Sequence, residues 1–458
     1  MTSTASDLDL ATLRASSQGP VIGPGEDGWD AAREAWNLTA DQRPVAVAAV
    51  TNVRDVVAAV DFARENGLRV AAQATGHAAT ALEDLERTLL VKTLRMGDLE
   101  IDPVTRQARV GAGVLWGDLG VAAGEYGLAG LSGSSPDVGV VGYALGGGIG
   151  WLSRRHGLAS NSITAIELVT AEGKLVRADH DHEPDLFWAL RGGGGSFGVV
   201  TALEMSLVPL AQTYAGGVFW PAEVAAELMP AYRDWARDLP DEMTSAIRLL
   251  CLPPIPEVPE PLRATPVVNV TGAFDGDPAE GARLVDELRA VAPPMMDAFA
   301  TMPAAGLCHI NGDPEQPTPG MTHQTMIGEL TDGAIEALLE TAGPGSESPL
   351  LAVSLRHLGG AMAHAPEGAG ALDSLDGEYA MYGVGVPFTP EMVTPIDAHL
   401  DRVVAAVEPW STGRDYLNLA ERPSDASSAF SADVYARLVE IRETVDPDSL
   451  FLASHPVR

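Results

Sequence analysis

The stretch QATGHAAT (residues 73–80) sets one histidine between a glycine and small residues, directly after an apolar run that reads as a strand. The residues before it supply the setting. RPVAVAAV reads as a strand, TNVRDVVAAVDFAREN as a helix and LRVAAQA as a second strand, so residues 43–74 form a βαβ unit that ends beside the histidine. Thr51 is placed to cap the helix, Val53, Val56, Val57 and Val60 fall on one stripe, and Gly67 suits the C-terminal turn. LLVKT (89–93) and QARVGAG (107–113) continue the strands, and VLWGDLGVAAGEYG follows as a helix. IELVTAEGKLVRA (166–178) reads as a hairpin turning near Glu172 and Gly173, PDLFWALRGG as a short helix, and FGVVTALEMSLVPL (197–210) as one long strand.

Composition removes several classes of function. A chain of 458 residues exceeds one ordinary core and predicts two domains, and an apolar fraction of 46% predicts a sizeable interior. A net charge of −34 argues against a nucleic-acid partner, because phosphate binding rests on clustered Lys and Arg. Cys251 and Cys308 lack CxxC or zinc-ligand spacing, so neither a disulfide framework nor a cysteine metal site is expected. The N-terminal MTSTASDLDLATLRASS has no basic region followed by an apolar one, and VGVVGYALGGGIGWL (138–152) is too short and glycine-rich to span a bilayer. The expectation is a soluble cytoplasmic protein with no metal and no membrane association. Proline clusters at 252–266 and 312–320 mark a change of character after residue 210, whereas the stretch from Arg414 again reads as core structure. A second domain inserted into the first is the arrangement this predicts.

Three loops invite an anion: ATGHAAT (74–80), LSGSSPDVGVVGYALGGGIG (131–150) and RGGGGSFGVV (191–200). Glycine lets successive N–H groups converge on a phosphate without any cationic side chain, which suits so acidic a chain. Each loop taken alone is equally a turn. None stands in the strand, G-x-G-x-x-G, helix context of a Rossmann site, and no G-K-[ST] is present.

In order and wording, however, the loops resemble the flavoproteins of the vanillyl-alcohol-oxidase fold (PCMH-type), in the berberine-bridge-enzyme-like branch. The resemblance rests on GHAAT, PDVGVVGYALGGGIGWLSRRHGL, DLFWALRGGGGSFGVVT and a closing motif of YLN (416–418), Phe430, Tyr435, Leu438 and VDPDSLF (445–451). It implies an α+β fold with a PCMH-type FAD-binding domain in two parts, 1–210 (core 43–210) and 410–458. Between them, 211–409 would be a substrate domain of antiparallel sheet covered by helices. His77 is implied to carry FAD covalently at its 8α-methyl carbon, a task for a neutral imidazole nitrogen; a hydrogen-bonded histidine in a turn is the alternative. Many relatives add a second link through cysteine, but Ser135 stands there and a hydroxyl is a poor nucleophile, so the linkage is expected through His77 alone.

The same matching implies that the backbone of Ala74, Thr75, Gly76 and Ala78 holds the pyrophosphate. Ser134, Ser135, Val138, Gly139, Gly142, Gly147 and Gly148 would run beside the ribityl chain and ring, with Asn161 near them. Val200 would meet the adenine and Asn418 the isoalloxazine edge. Tyr416 matches the family's tyrosine over the ring and is the candidate general base, which requires a lowered pKa; Arg414 and Arg356 are possible tuners. Tyr379 and Met381, in GEYAMYGVGVPF, share one face of a strand and are candidate substrate contacts, with Tyr382 on the other face. His309 and His357 remain ambiguous.

The function implied is an FAD-dependent oxidase that removes hydride from an alcohol or amine carbon of a small secondary-metabolite-type molecule, reoxidised by O2. A flavin-dependent oxygenase or oxidative cyclase on a polyketide-like substrate is the alternative within the fold, and a degenerate flavin-fold binding protein the alternative outside catalysis. The oligomeric state is not legible.

Overall fold

Three large sheets and one two-stranded ribbon organise the chain in a computed structural model, which describes residues 8–458; the first seven residues of the stretch read for an export signal lie outside it. The first sheet runs in the order Val21–Ile22, Ala46–Ala49, Thr88–Lys92, Arg69–Gln73, with its last three strands parallel. The helix Val53–Glu65 covers it, burying Val56, Ala59, Val60 and Ala63. The helix is capped by Asn52, whose side chain accepts from Arg54 and Asp55 N–H, and not by Thr51. Thr51 instead gives its own N–H and hydroxyl to Asp55. Gly67 turns the chain with φ +62°.

The second sheet is antiparallel, in the order Leu99–Asp102, Gln107–Gly111, Val199–Ser206, Ile163–Val169, Leu175–Ala178. Its last two strands are the expected hairpin, closed by Gly173 at φ +74°. The long strand expected over 197–210 is in fact two. Val199–Ser206 stays in this sheet, and Val208–Pro209 pairs with Leu128–Ala129, because Leu207 N–H turns away to Arg106.

The third sheet has eight strands drawn from 212–385. One face is apolar and carries the helices Ala225–Arg237, Pro278–Arg289, Asp332–Ala342 and Val393–Val407. The other face presents Ala215, Ala246, Ala273, Met326 and Ala380 to the core built by residues 108–207 and by Tyr416. The chain ends by returning to the first sheet. Phe451 bridges Val70 in parallel, with Val70 N–H donating to Leu450 and Leu452 N–H to Val70. Asp446 holds that segment by accepting from Leu450 and Phe451 N–H. Among the described residues no helix is long and apolar enough to cross a membrane.

Asp55 is fully buried and accepts from the N–H of Gln18 (2.8 Å), Gly19 (3.1 Å) and Thr51 (2.9 Å) and from the Thr51 hydroxyl (2.9 Å). Burial alone would raise its pKa, but these donors together hold it below the ordinary 3.8. Its stabilising contribution is therefore present above that value and lost as the pH falls below it. Asp55→Ala is expected to cost about 3 kcal/mol at neutral pH, because it leaves buried donors without an acceptor. Urea unfolding checks this, and the gap to the wild type should narrow below pH 3.8.

Candidate functional site

The strand Arg69–Gln73 delivers the chain into residues 74–78, where the backbone carries a string of free donors. None of the N–H groups of Ala74, Thr75, Gly76, His77 and Ala78 donates a hydrogen bond among the described residues, whereas the carbonyls of Thr75 and Gly76 accept from Trp36 and Asn37 N–H. Gly76 has φ +93°, and a Cβ there would fall 2.0 Å from Gln73 Nε2. A second loop faces the first. A Cβ on Gly139 would meet that of Ala74 at 3.2 Å, and the N–H groups of Ser134, Ser135, Asp137, Val138 and Gly139 are likewise without acceptors.

His77 stands between the two loops. Its ring stacks on Trp36 (centroids 4.1 Å apart, planes at 16°), and Nδ1 meets the Thr75 hydroxyl at 2.9 Å. Nε2 is buried without a hydrogen-bond partner, 3.5 Å from an equally unpaired Asp137 Oδ1, while Asp137 Oδ2 accepts from Trp36 Nε1–H.

The glycine arc 146–148 closes against the C-terminal motif. A Cβ at Gly146 would strike Asn418 Oδ1 at 1.9 Å, and one at Gly148 (φ +84°) would strike Tyr143 at 2.4 Å. Tyr416, only 1% exposed, accepts from Gly148 N–H (2.8 Å) and from Asn418 Nδ2–H (3.3 Å). Both lone pairs are thus used, and its own O–H has no acceptor among the described residues. Burial pushes this phenol well above its ordinary range, against the opposing pull of Gly148, Asn418 and the Arg356 charge. Tyr416 in the protein alone thus lacks the lowered pKa that a general base would need, and its free O–H is placed to donate a hydrogen bond. Arg414 donates to the Phe430 carbonyl, and of the two arginines Arg356 is the one whose charge acts on Tyr416.

The remaining sequence candidates fall around this arc or near it. Asn161 Oδ1 is buried and unpaired, and Gly142 faces open space on the short helix Val140–Leu145, which also carries the buried, unpaired Oη of Tyr143. Gly147 has φ +110° beside Leu372 and Tyr416. Val200 is buried at a bulge that breaks its register with Ile163–Val169. Ser135 gives its hydroxyl to Asp313 at 3.2 Å. Strings of free N–H groups, an unpaired imidazole nitrogen and a glycine arc form a bed that fits a pyrophosphate-bearing flavin dinucleotide.

Tyr379 and Met381 lie elsewhere. They are 1% and 0% exposed in the helix-covered core, where Tyr379 packs on His357 and Tyr232. Strand alternation sends Tyr382, and not these two, to the face shared with Tyr416. His309 is paired with Glu315 near the surface, and His357, buried against Arg154, has its pKa pulled down to about 3.

Several residues of the site were not singled out from the sequence. Trp36 and Asn37 precede the βαβ unit, Asp137 and Tyr143 sit unnoticed inside a quoted motif, and Glu421 follows Asn418 by three residues. Glu421 accepts from the Tyr382 hydroxyl (2.6 Å) and Asn37 Nδ2–H (3.0 Å), yet burial lifts its pKa to about 7. Arg248 was detectable as a lone charge in the apolar strand SAIRLL.

Comparison with known proteins agrees with this geometry. Residues 44–179 match the model of the FAD binding domain family. The (R)-6-hydroxynicotine oxidase of Paenarthrobacter nicotinovorans is 28% identical over 95% of this chain and 96% of its own length. The crystal structure of 6-hydroxy-D-nicotine oxidase from Arthrobacter nicotinovorans superposes with a TM-score of 0.80 at 27% identity, covering 97% of this chain and 98% of that one. A berberine-bridge-like protein of the moss Physcomitrella patens reaches 0.86 at 22% identity over 98% and 99% of the two chains, a likeness of fold alone.

Glu421 generates a prediction with a definite sign. Its folded pKa of about 7 lies above the ordinary 4.5, so its contribution to stability is full below pH 4.5 and lost as the pH rises through 7. Glu421→Gln removes this loss. Between pH 5 and pH 8 the variant should gain on the wild type by on the order of 2 kcal/mol in urea unfolding.

Proposed function

Because the chain is an FAD-linked oxidoreductase built on the vanillyl-alcohol-oxidase fold in its berberine-bridge-like form, we propose that it is an oxidase acting on an alcohol or amine carbon of a small secondary-metabolite-type molecule, with O2 as the final electron acceptor. The observation that carries this reading is the pair of facing N–H strings with His77 Nε2 between them. In this reading His77 is the single covalent tether of FAD, since Ser135 offers only a hydroxyl where relatives use a thiol. The amides of Ala74, Thr75, Gly76 and Ala78 hold the pyrophosphate, and those of Ser134, Ser135, Val138 and Gly139 follow the ribityl chain. Gly142, Gly147, Gly148, Asn161, Val200 and Asn418 complete the bed.

Bound FAD supplies the hydride acceptor. The protein's share is to orient the substrate and remove the proton from its O–H or N–H as hydride leaves. Tyr416 orients, donating its free O–H. The base is Glu421, whose proton affinity is matched to neutral pH. Tyr382 connects it to the site: the phenol passes its proton to Glu421 Oε1 and takes the substrate's in return.

Acid precipitation of the purified protein should give a yellow, flavin-bearing pellet, and His77→Ala should release its flavin to the supernatant; a colourless wild type grown with ample riboflavin overturns the reading. Against a turnover substrate, kcat/KM should rise with pH to a plateau with an apparent pKa near 7, and Glu421→Gln should abolish that limb. Tyr416→Phe should lower kcat about 100-fold without moving the limb or the flavin content.

A further inference from the structure

Two arginines stand on the site-facing side of the third sheet without a carboxylate partner. Arg248, on the strand Met243–Cys251, lies opposite Ser354; Arg356, on the strand Ala352–His357, lies opposite Ala246. They are diagonal neighbours on one face, the face whose Ala246 and Ala380 pack in the same core as Tyr416. Arg356 is close enough to Tyr143, Tyr416 and Tyr382 for its charge to act on each phenol.

Arg248 is 8% exposed and gives Nε–H and an Nη2–H to Asn269 (2.9 Å) and Thr271 (3.1 Å), both neutral. Burial draws its pKa down to about 10, with Asp313 pulling up and Arg356 pushing down. Arg356 forms no hydrogen bond or ion pair among the described residues and only overhangs the Tyr382 ring at 5.9 Å. Like charges on adjacent strands are destabilising, and a buried guanidinium is costly without a counter-charge.

Elsewhere the chain meets that requirement. Arg109 and Arg177 each grip a glutamate with two hydrogen bonds, while buried Arg191 is held by the Phe187 and Gly368 carbonyls instead of a counter-charge. With 63 acidic residues against 29 basic ones, partners were not scarce. The nearby acids are engaged otherwise, Asp313 with Ser135 and Glu421 with Tyr382 and Asn37.

We propose that Arg248 and Arg356 form a subsite for a carboxylate on the substrate, so that the molecule oxidised is an acid held by its carboxylate beneath the sheet with its reacting carbon toward Tyr416. Arg248 has one Nη edge uncommitted and Arg356 its whole fork, a donor set that matches the two oxygens of a carboxylate. This rests on the oxidase reading given above and narrows it to acidic substrates.

The test uses the purified holoprotein, whose absorbance spectrum first establishes whether flavin is bound. Benzoate and 2-naphthoate are then titrated beside their methyl esters, following both the flavin difference spectrum and the melting temperature. At least one acid should bind ten-fold or more tighter than its ester. Arg356→Met and Arg248→Lys should each erase most of that preference while leaving flavin content and ester binding unchanged. Equal binding of acid and ester overturns the proposal, as do variants that keep the preference, or that alter the flavin spectrum alone and so assign the charges to the cofactor. Should the wild type hold no flavin, the oxidase reading falls, and the melting temperature still decides whether acids are preferred.

Discussion

A backbone N–H with no protein acceptor must find its partner in water or in a ligand, and this protein aligns two strings of them, within 74–78 and 134–139, face to face. The surrounding structure exists to keep them pointing inward. The carbonyls of the same loops are pinned outward: Thr75 and Gly76 accept from Trp36 and Asn37, while Pro136 and Val138 accept from Gly117 and Trp116 N–H. With its carbonyls fixed on one side, each peptide plane has its donor fixed on the other. Trp36 serves twice, because it also stacks on His77 and ties Asp137 beside it.

The local elements were legible wherever one physical rule governed them. The helix Val53–Glu65 followed from its valine stripe, the hairpin from Glu172-Gly173, and the loop around His77 from its lack of bulk. The cap was misassigned because Thr51 and Asn52 are both good caps, and only the tertiary demand of Asp55 for the Thr51 donors decides between them. The strand Tyr379–Gly385 shows a different limit. Alternation separates Tyr379 and Met381 from Tyr382 but cannot say which set faces the helices, since that depends on which side of the assembled sheet the helices pack. Tyr416 illustrates a third: its position is readable, but whether its environment raises or lowers its pKa depends on burial and on two donors from separate segments.

Charge is distributed on a simple plan. Surface arginines neutralise some of the acidic residues in local pairs such as Arg14 with Glu26 and Arg437 with Asp185, and the rest leave the net charge of −34. Exposed pairs of this kind add little to stability. What distinguishes the inner face of the third sheet is that its two guanidiniums are surrounded by amides, hydroxyls and phenols, so their field is only partly neutralised where it reaches the site.

The return of the last residues to the first sheet orders events in time. Tyr416, Asn418 and Glu421 lie late in the chain, and Phe451 must pair with Val70 before the sheet behind the His77 loop is whole. The bed for the flavin is therefore closed by segments far along the chain from the His77 loop, and it is complete only once residues 416–421 and 446–452 have folded back onto the first sheet.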